Sequence, residues 1–120
     1  MKLSLETRNR GDVMIVHCHG RIVYRDEAVI LSRVVGELLH QSSNVILEMS
    51  GVQSVDSAGI GELALLQTWA QERNANLKIA GANTLVRSLL DLTNLDSVLE
   101  VYPTLDAALE SFSERVCADC

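Results

Sequence analysis

Asp56-Ser57-Ala58-Gly59-Ile60-Gly61 puts an acid, a hydroxyl and two glycines side by side, after the apolar run Val45-Ile46-Leu47 and before a helical pattern. A strand-to-helix corner of this kind presents a serine at a helix N-terminus. Free first-turn amides and the positive end of the helix dipole favour an anion there, so the hydroxyl is suited to carry a phosphate. A phosphate adds about −1.5 to −2 of charge. Beside Asp56 and Glu62 that charge acts outward on a docked partner, so the fold need not change. Two glycines in a first helical turn cost roughly 1 kcal/mol each against alanine. Close packing of the helix start on the sheet explains one of them; a bare surface, open to another backbone at Ser57, explains both. A Ser57 that only caps the helix fits the local pattern equally well.

The other residues capable of chemistry carry less. G-x-S-x-G is absent, and His17, His19 and His40 fall on other elements, so Ser57 is not expected to be a hydrolase nucleophile. No G-x-x-x-x-G-K-[ST] loop is present to cradle a nucleotide phosphate. His17 and His19 share one strand face, but a metal site needs further ligands and no second cluster has a suitable spacing. That leaves two histidines toward solvent and Cys18 in the core. Cys117-Ala118-Asp119-Cys120 has redox spacing but follows the last helix instead of starting one, where the dipole would lower a thiol pKa. Neither catalysis, a cofactor nor a metal is expected. Leu65 and Trp69, four residues apart on the helix after Ser57, form either an exposed patch suited to a partner helix or part of the core.

These residues need a scaffold, and the apolar pattern supplies one. Residues 3–7 and 13–19 read as two strands of a hairpin, with a turn longer than two residues. From Asp26, a candidate N-cap, Ala28, Leu31, Val34, Val35, Leu38 and Leu39 fall on one helical face. Residues 45–49 read as a strand buried on both faces. The helix after Ser57 buries Ile60, Leu63, Leu66 or Gln67, and Ala70, and ends near Asn74. A strand at 77–80 leads to Asn83, an N-cap, and a helix closed by Asn94. A short strand at 98–102 leads to Thr104 and a last helix burying Leu105, Ala108, Leu109 and Phe112. Alternating strands and helices of this kind make an α/β fold with helices on a mostly parallel sheet.

The 120 residues suit one domain, with a core over about 3–112 and a flexible tail at 113–120. A net charge of −6 argues against nucleic acid and anionic membranes, which favour a Lys/Arg surplus. No apolar run reaches the length of a membrane span, and residues 1–4 lack a signal-peptide core. Three cysteines outside any disulfide framework suit a reducing compartment. The expected setting is the cytoplasm.

Three segments together carry a resemblance: GRIVYRDEAVILSRVVGELL, NVILEMSGVQSVDSAGIGEL and LKIAGANTLVRSLLDLTNLDSVLEVYPTLDAAL. From about residue 13 to about 112 the chain resembles the STAS domain of bacterial anti-sigma-factor antagonists. Its most specific part is residues 56–61, which resemble the family signature D-S-[SAT]-G-[LI]-G. The resemblance implies a mixed, mostly parallel sheet with four helices packed mainly on one face. It further implies a protein that, when unphosphorylated, binds an anti-sigma factor that is also a serine kinase of the histidine-kinase-like ATPase class. Phosphorylation at Ser57 would end that binding and a phosphoserine phosphatase would restore it, so that sigma-factor release follows the switch. Asp56, Ala58, Gly59, Ile60 and Gly61 would shape the docking surface, with Asp26 and Glu27 at its rim and Leu65 and Trp69 beside it. The sequence departs from the family at Gly20-Arg21-Ile22-Val23, where Val23 replaces a common aspartate. The protein is expected to be a monomer or weak dimer. The alternatives are a structural STAS subunit of a larger signalling assembly, and a regulator binding a nucleotide or lipid in the groove by Ser57.

Overall fold

A computed structural model describes residues 3–118, of which 24, 25 and 113–118 are described by backbone alone. The elements run β1 (Ser4–Arg10), β2 (Val13–Ile22), α1 (Tyr24–Gln41), β3 (Asn44–Val55), α2 (Ser57–Glu72), β4 (Asn76–Ala80), α3 (Thr84–Leu92), β5 (Glu100–Tyr102) and α4 (Leu105–Ala118). A single 3-10 turn, Leu95–Ser97, precedes β5. The strands lie in the sheet in their chain order, with β1 antiparallel to β2 and every later pair parallel. This is the mixed, mostly parallel α/β architecture expected from the alternating pattern.

Strand side chains alternate between two faces, and the two faces are built differently. Val16 and Cys18 of β2, Val45, Leu47 and Met49 of β3, and Leu77 and Ile79 of β4 enter the larger aliphatic core under α1, α2 and α3. Val13, Ile15, Ile46 and Ala80 face the other way, onto Ala108 and Phe112 of α4. Three helices therefore cover one face and α4 covers the other. Thr104 caps α4 through Ala107 N–H at 3.1 Å, as its sequence position predicts. Helix α4 continues to Ala118, into the stretch expected as a tail. Cys117 lies on its backbone, and Cys120 lies outside the described residues.

Several local expectations are corrected. The β1–β2 hairpin is tight: Arg10 pairs with Val13 across a two-residue turn, Gly11-Asp12. Gly11 has φ +64, the conformation required at the first position of a II′-type turn, and glycine adopts it without strain. Helix α1 starts at Tyr24, so Asp26 lies in its first turn and is not its cap; the cap position is Val23, whose side chain accepts no hydrogen bond. Strand β3 does not stop at Met49 but runs through Ser50-Gly51 to Val55. Two register shifts against β2 allow this, since His17 pairs with Glu48 and His19 with Gly51, then Gly20 with Val52 and Arg21 with Ser54. A side chain at residue 51 would meet the His19 ring and lie 2.9 Å from the Cys18 carbonyl oxygen. Glycine relieves the crowding that the first shift creates.

Beyond Glu48, β3 has outrun β4, whose last pairing is Ala80 with Glu48. Its end is held from two sides. β2 continues alongside as far as Ile22–Val55. On the other side, Asn83 Nδ2 donates to the Val52 carbonyl at 3.0 Å and lies 3.4 Å from that of Gln53, while Asn83 Oδ1 caps α3 through Val86 N–H at 2.8 Å. One asparagine thus starts a helix and closes the free edge that leads to the corner at Asp56.

Candidate functional site

The corner between β3 and α2 is set by Asp56. Its Oδ1 accepts from Ala58 N–H at 3.0 Å and from Gly59 N–H at 3.1 Å, and its carbonyl accepts the first helical bond from Ile60 N–H at 2.9 Å. Asp56 N–H in turn donates to the Ile22 carbonyl at 3.3 Å, tying the start of α2 to the last residue of β2. Asp56 is therefore the N-cap, which overturns the reading of Ser57 as a plain cap. Ser57 is the first residue of the helix, exposed, and its hydroxyl makes no hydrogen bond among the described residues. The structure also corrects the expectation of free first-turn amides. Two of them already bind the Asp56 carboxylate, so a phosphate on Ser57 would stand outward next to a negative charge.

The two glycines have different reasons. A Cβ on Gly59 would lie 2.5 Å from the Ile22 carbonyl oxygen and 2.7 Å from Val55 Cγ1, so this glycine is required by packing. A Cβ on Gly61 would meet nothing within 4 Å. Packing thus explains Gly59 and leaves Gly61, exposed on the same turn, as a bare spot. Ile60 is half-buried against the main core, and Ala58 is half-buried beside Ser57.

Helix α1 begins at the same end of the sheet, since β2 and β3 run parallel and each feeds a helix there. Asp26 and Glu27 sit in its first turn, Asp26 exposed and Glu27 half-buried. The acids expected at the rim are thus brought to the Ser57 end of the molecule by the topology.

Leu65 is 62% exposed, two turns along α2 from Ser57. Trp69 is half-buried and engaged within the chain. Its ring lies where a Cβ on Gly36 of α1 would be, 2.7 Å away, and it stacks under the Arg73 guanidinium at 4.2 Å and edge-on to His40 at 5.2 Å. The tryptophan fits neither simple alternative: it is wedged between two helices, with part of its surface open.

The strand histidines also split. His19 is exposed, but His17 is half-buried with Nδ1 3.5 Å from Glu48 Oε1, and Glu48 accepts from Ser50 Oγ at 2.9 Å. Among the described residues no group of three or more His, Cys, Asp or Glu could hold a metal ion. Cys18 is in the core as expected, its thiol pushed up to about 12 by burial and, secondarily, by the Glu48 charge. Sequence reasoning missed Lys78, which is 1% exposed under α4. Its Nζ donates to Ser111 Oγ at 2.6 Å, lies 3.7 Å from Glu100 Oε1 and sits 4.1 Å from the Phe112 ring centre. A lone lysine in an apolar strand was the only signal. No helix among the described residues is long and apolar enough to cross a membrane.

This fold is shared by proteins of known structure. The family profile described as the STAS domain matches residues 4–108. The chain belongs to the STAS domain family. A provisionally named anti-sigma factor antagonist of Thermotoga maritima is 26% identical over 105 residues, covering 87% of this chain and 93% of that protein. The crystal structure of an anti-sigma factor antagonist from Mycobacterium paratuberculosis superposes with a TM-score of 0.82 at 22% identity, covering 92% of this STAS chain and 93% of its own. The STAS domain of a SulP transporter from Vibrio cholerae shares the fold with a TM-score of 0.69 at 20% identity, covering 92% and 88% of the two chains.

Proposed function

We propose that this STAS domain is an anti-sigma factor antagonist switched by phosphorylation at Ser57. The carrying observation is the division of labour at the corner. Asp56 makes the capping bonds, so Ser57 is exposed and spare, on a turn that Gly61 leaves uncovered. A hydroxyl with no structural duty can be modified without disturbing the helix that displays it.

In this reading the unphosphorylated surface of Ser57, Ala58, Ile60 and Gly61 receives an anti-sigma factor that is also a serine kinase of the histidine-kinase-like ATPase class. Asp56 and Gly59 hold that surface in shape from below. Asp26 and Glu27 form one rim, and Leu65 and Trp69 extend the surface along α2. Phosphorylation places a dianion beside Asp56, and repulsion together with bulk ends the binding. A phosphoserine phosphatase resets the protein, which performs no catalysis itself and works in the cytoplasm as a monomer or weak dimer.

The test uses three immobilised baits in lysate of the source cells: wild type, Ser57→Ala and Ser57→Glu. The expected result is one ATPase of the stated class held by wild type and Ser57→Ala and lost by Ser57→Glu. The captured ATPase with ATP should then phosphorylate wild type, but not Ser57→Ala, at residue 57, read by mass spectrometry. If all three baits hold the same proteins, the switch is wrong, and a structural subunit, as in a transporter's STAS domain, becomes the better reading.

A further inference from the structure

Between α1 and α2, two turns from Ser57, lies a groove of about 450 Å³. Leu65, Leu66, Trp69 and Gly36 line its apolar part, and Ser32, Arg33, Glu37 and His40 its rim. The volume is within the range of small-molecule sites, about 300–1,000 Å³.

Its charge is unusual for this chain. Arg33 makes no ion pair or hydrogen bond among the described residues. Arg73 touches two of the lining residues: its Nη1 lies 2.8 Å from His40 Nδ1 and its guanidinium lies on the Trp69 ring. Neither of those partners is a carboxylate. Among the described residues, neither the lining Arg33 nor Arg73 on the His40 and Trp69 rings has a carboxylate partner, and Glu37 is the one acid in the lining. This occurs in a protein of net charge −6 with 16 acidic residues to pair with.

We propose that this groove binds a small anionic amphiphile, a free carboxylate with a medium-length apolar body. The body would lie on Leu65, Leu66 and Trp69. The carboxylate would take the open N–H groups of Arg73 or Arg33, whose planar forks match it in geometry. A partner helix or a flat membrane is a poorer fit, because the Trp69 ring, seated against Gly36, already fills part of the length a helix would need. The groove shares Leu65 and Trp69 with the proposed docking surface, but Ser57 lies two turns away, so in the free protein neither Ser57→Ala nor Ser57→Glu should change its affinity.

Trp69 is the chain's only tryptophan, so its fluorescence reports on the groove directly. The probe is sodium decanoate below its micelle threshold, with the amide chemical shifts of α1 and α2 as a second readout. Decanol, decyltrimethylammonium and phosphatidylglycerol vesicles are the comparison ligands. Decanoate should saturate, shift amides of both helices, and bind about tenfold tighter than decanol, the size of one charge-assisted contact. Leu65→Glu, at an exposed position that leaves the core intact, should weaken decanoate by about tenfold or more through desolvation and repulsion. Arg33→Gln with Arg73→Gln should bring decanoate down to decanol while leaving decanol unchanged.

Absence of saturation, or equal binding of decyltrimethylammonium, would overturn the proposal. So would binding to vesicles alone. Ligand-free self-association that shields Trp69 would instead assign the groove to a second copy of the chain.

Discussion

Helices α1 and α2 begin at the same end of the sheet, and their starts are made in opposite ways. The first residues of α2 are fixed on every side: Asp56 takes two amides, Ile22 receives the Asp56 N–H, and Gly59 sits against the Ile22 carbonyl. The start of α1 has Val23 at its cap position, and that residue makes no side-chain cap hydrogen bond. The contrast shows how the corner is divided. The turn that displays Ser57 is bonded by its cap side chain, while the neighbouring turn with Asp26 and Glu27 has no bond from its cap side chain. Val23, where the family resemblance puts a common aspartate, stands at the N-cap position of α1, a place where aspartate is a favoured cap.

The comparison can be broken from the capped side first. Gly59→Ala drives a methyl group into the Ile22 carbonyl and should cost about 1–3 kcal/mol in urea unfolding, the range for overpacking. A neutral result would mean that the two helix starts are not locked together. Asp56→Ala removes the cap from two amides and should cost about 1–2 kcal/mol, while Asp56→Asn should keep most of it. If asparagine costs as much as alanine, the carboxylate has another duty at the site.

The other side sharpens it. Val23→Asp should raise stability by about 1 kcal/mol by giving α1 the cap it lacks. An unchanged melting temperature would show that water already serves those amides equally well. The smallest effect is expected at Gly61→Ala, a gain of up to about 1 kcal/mol from helix propensity, since the new Cβ meets nothing. The same variant should hold the partner less tightly than wild type. Stabilisation with undiminished capture would remove the docking role of that bare turn.

Much of this was legible in the sequence, for physical reasons that differ by element. The strand-helix order, the faces of α1 and α2, and the turns at Asn83, Asn94 and Thr104 follow from apolar period and local capping chemistry. Asn83 and Thr104 do cap their helices, and Asn94 has φ 63. What was not legible depends on distant partners. Asp56 and Ser57 are both good caps, and the choice falls to Asp56 because Ile22 fixes where β3 ends. Ser50-Gly51 has turn composition but stays in the strand because β2 shifts register to keep pairing. Lys78 could be placed in a strand but not under α4, whose Ser111 lies 33 residues away. At the candidate site the serine motif was readable, but the different reasons for its two glycines were not, because one reason is a carbonyl on another strand.

The match between strand order and chain order has a consequence for biosynthesis. Every strand pairs with the one made just before it, so each newly emerged segment finds its template edge already formed and nothing must be threaded or displaced. Assembly can therefore follow the direction of translation, with the hairpin as its seed. The Asp56 corner can form as soon as α2 has left the ribosome, but the asparagine that closes its open flank is delivered only with α3. For that interval the nascent chain would carry the serine on a corner buttressed from one side alone, and the final lock would come from later sequence.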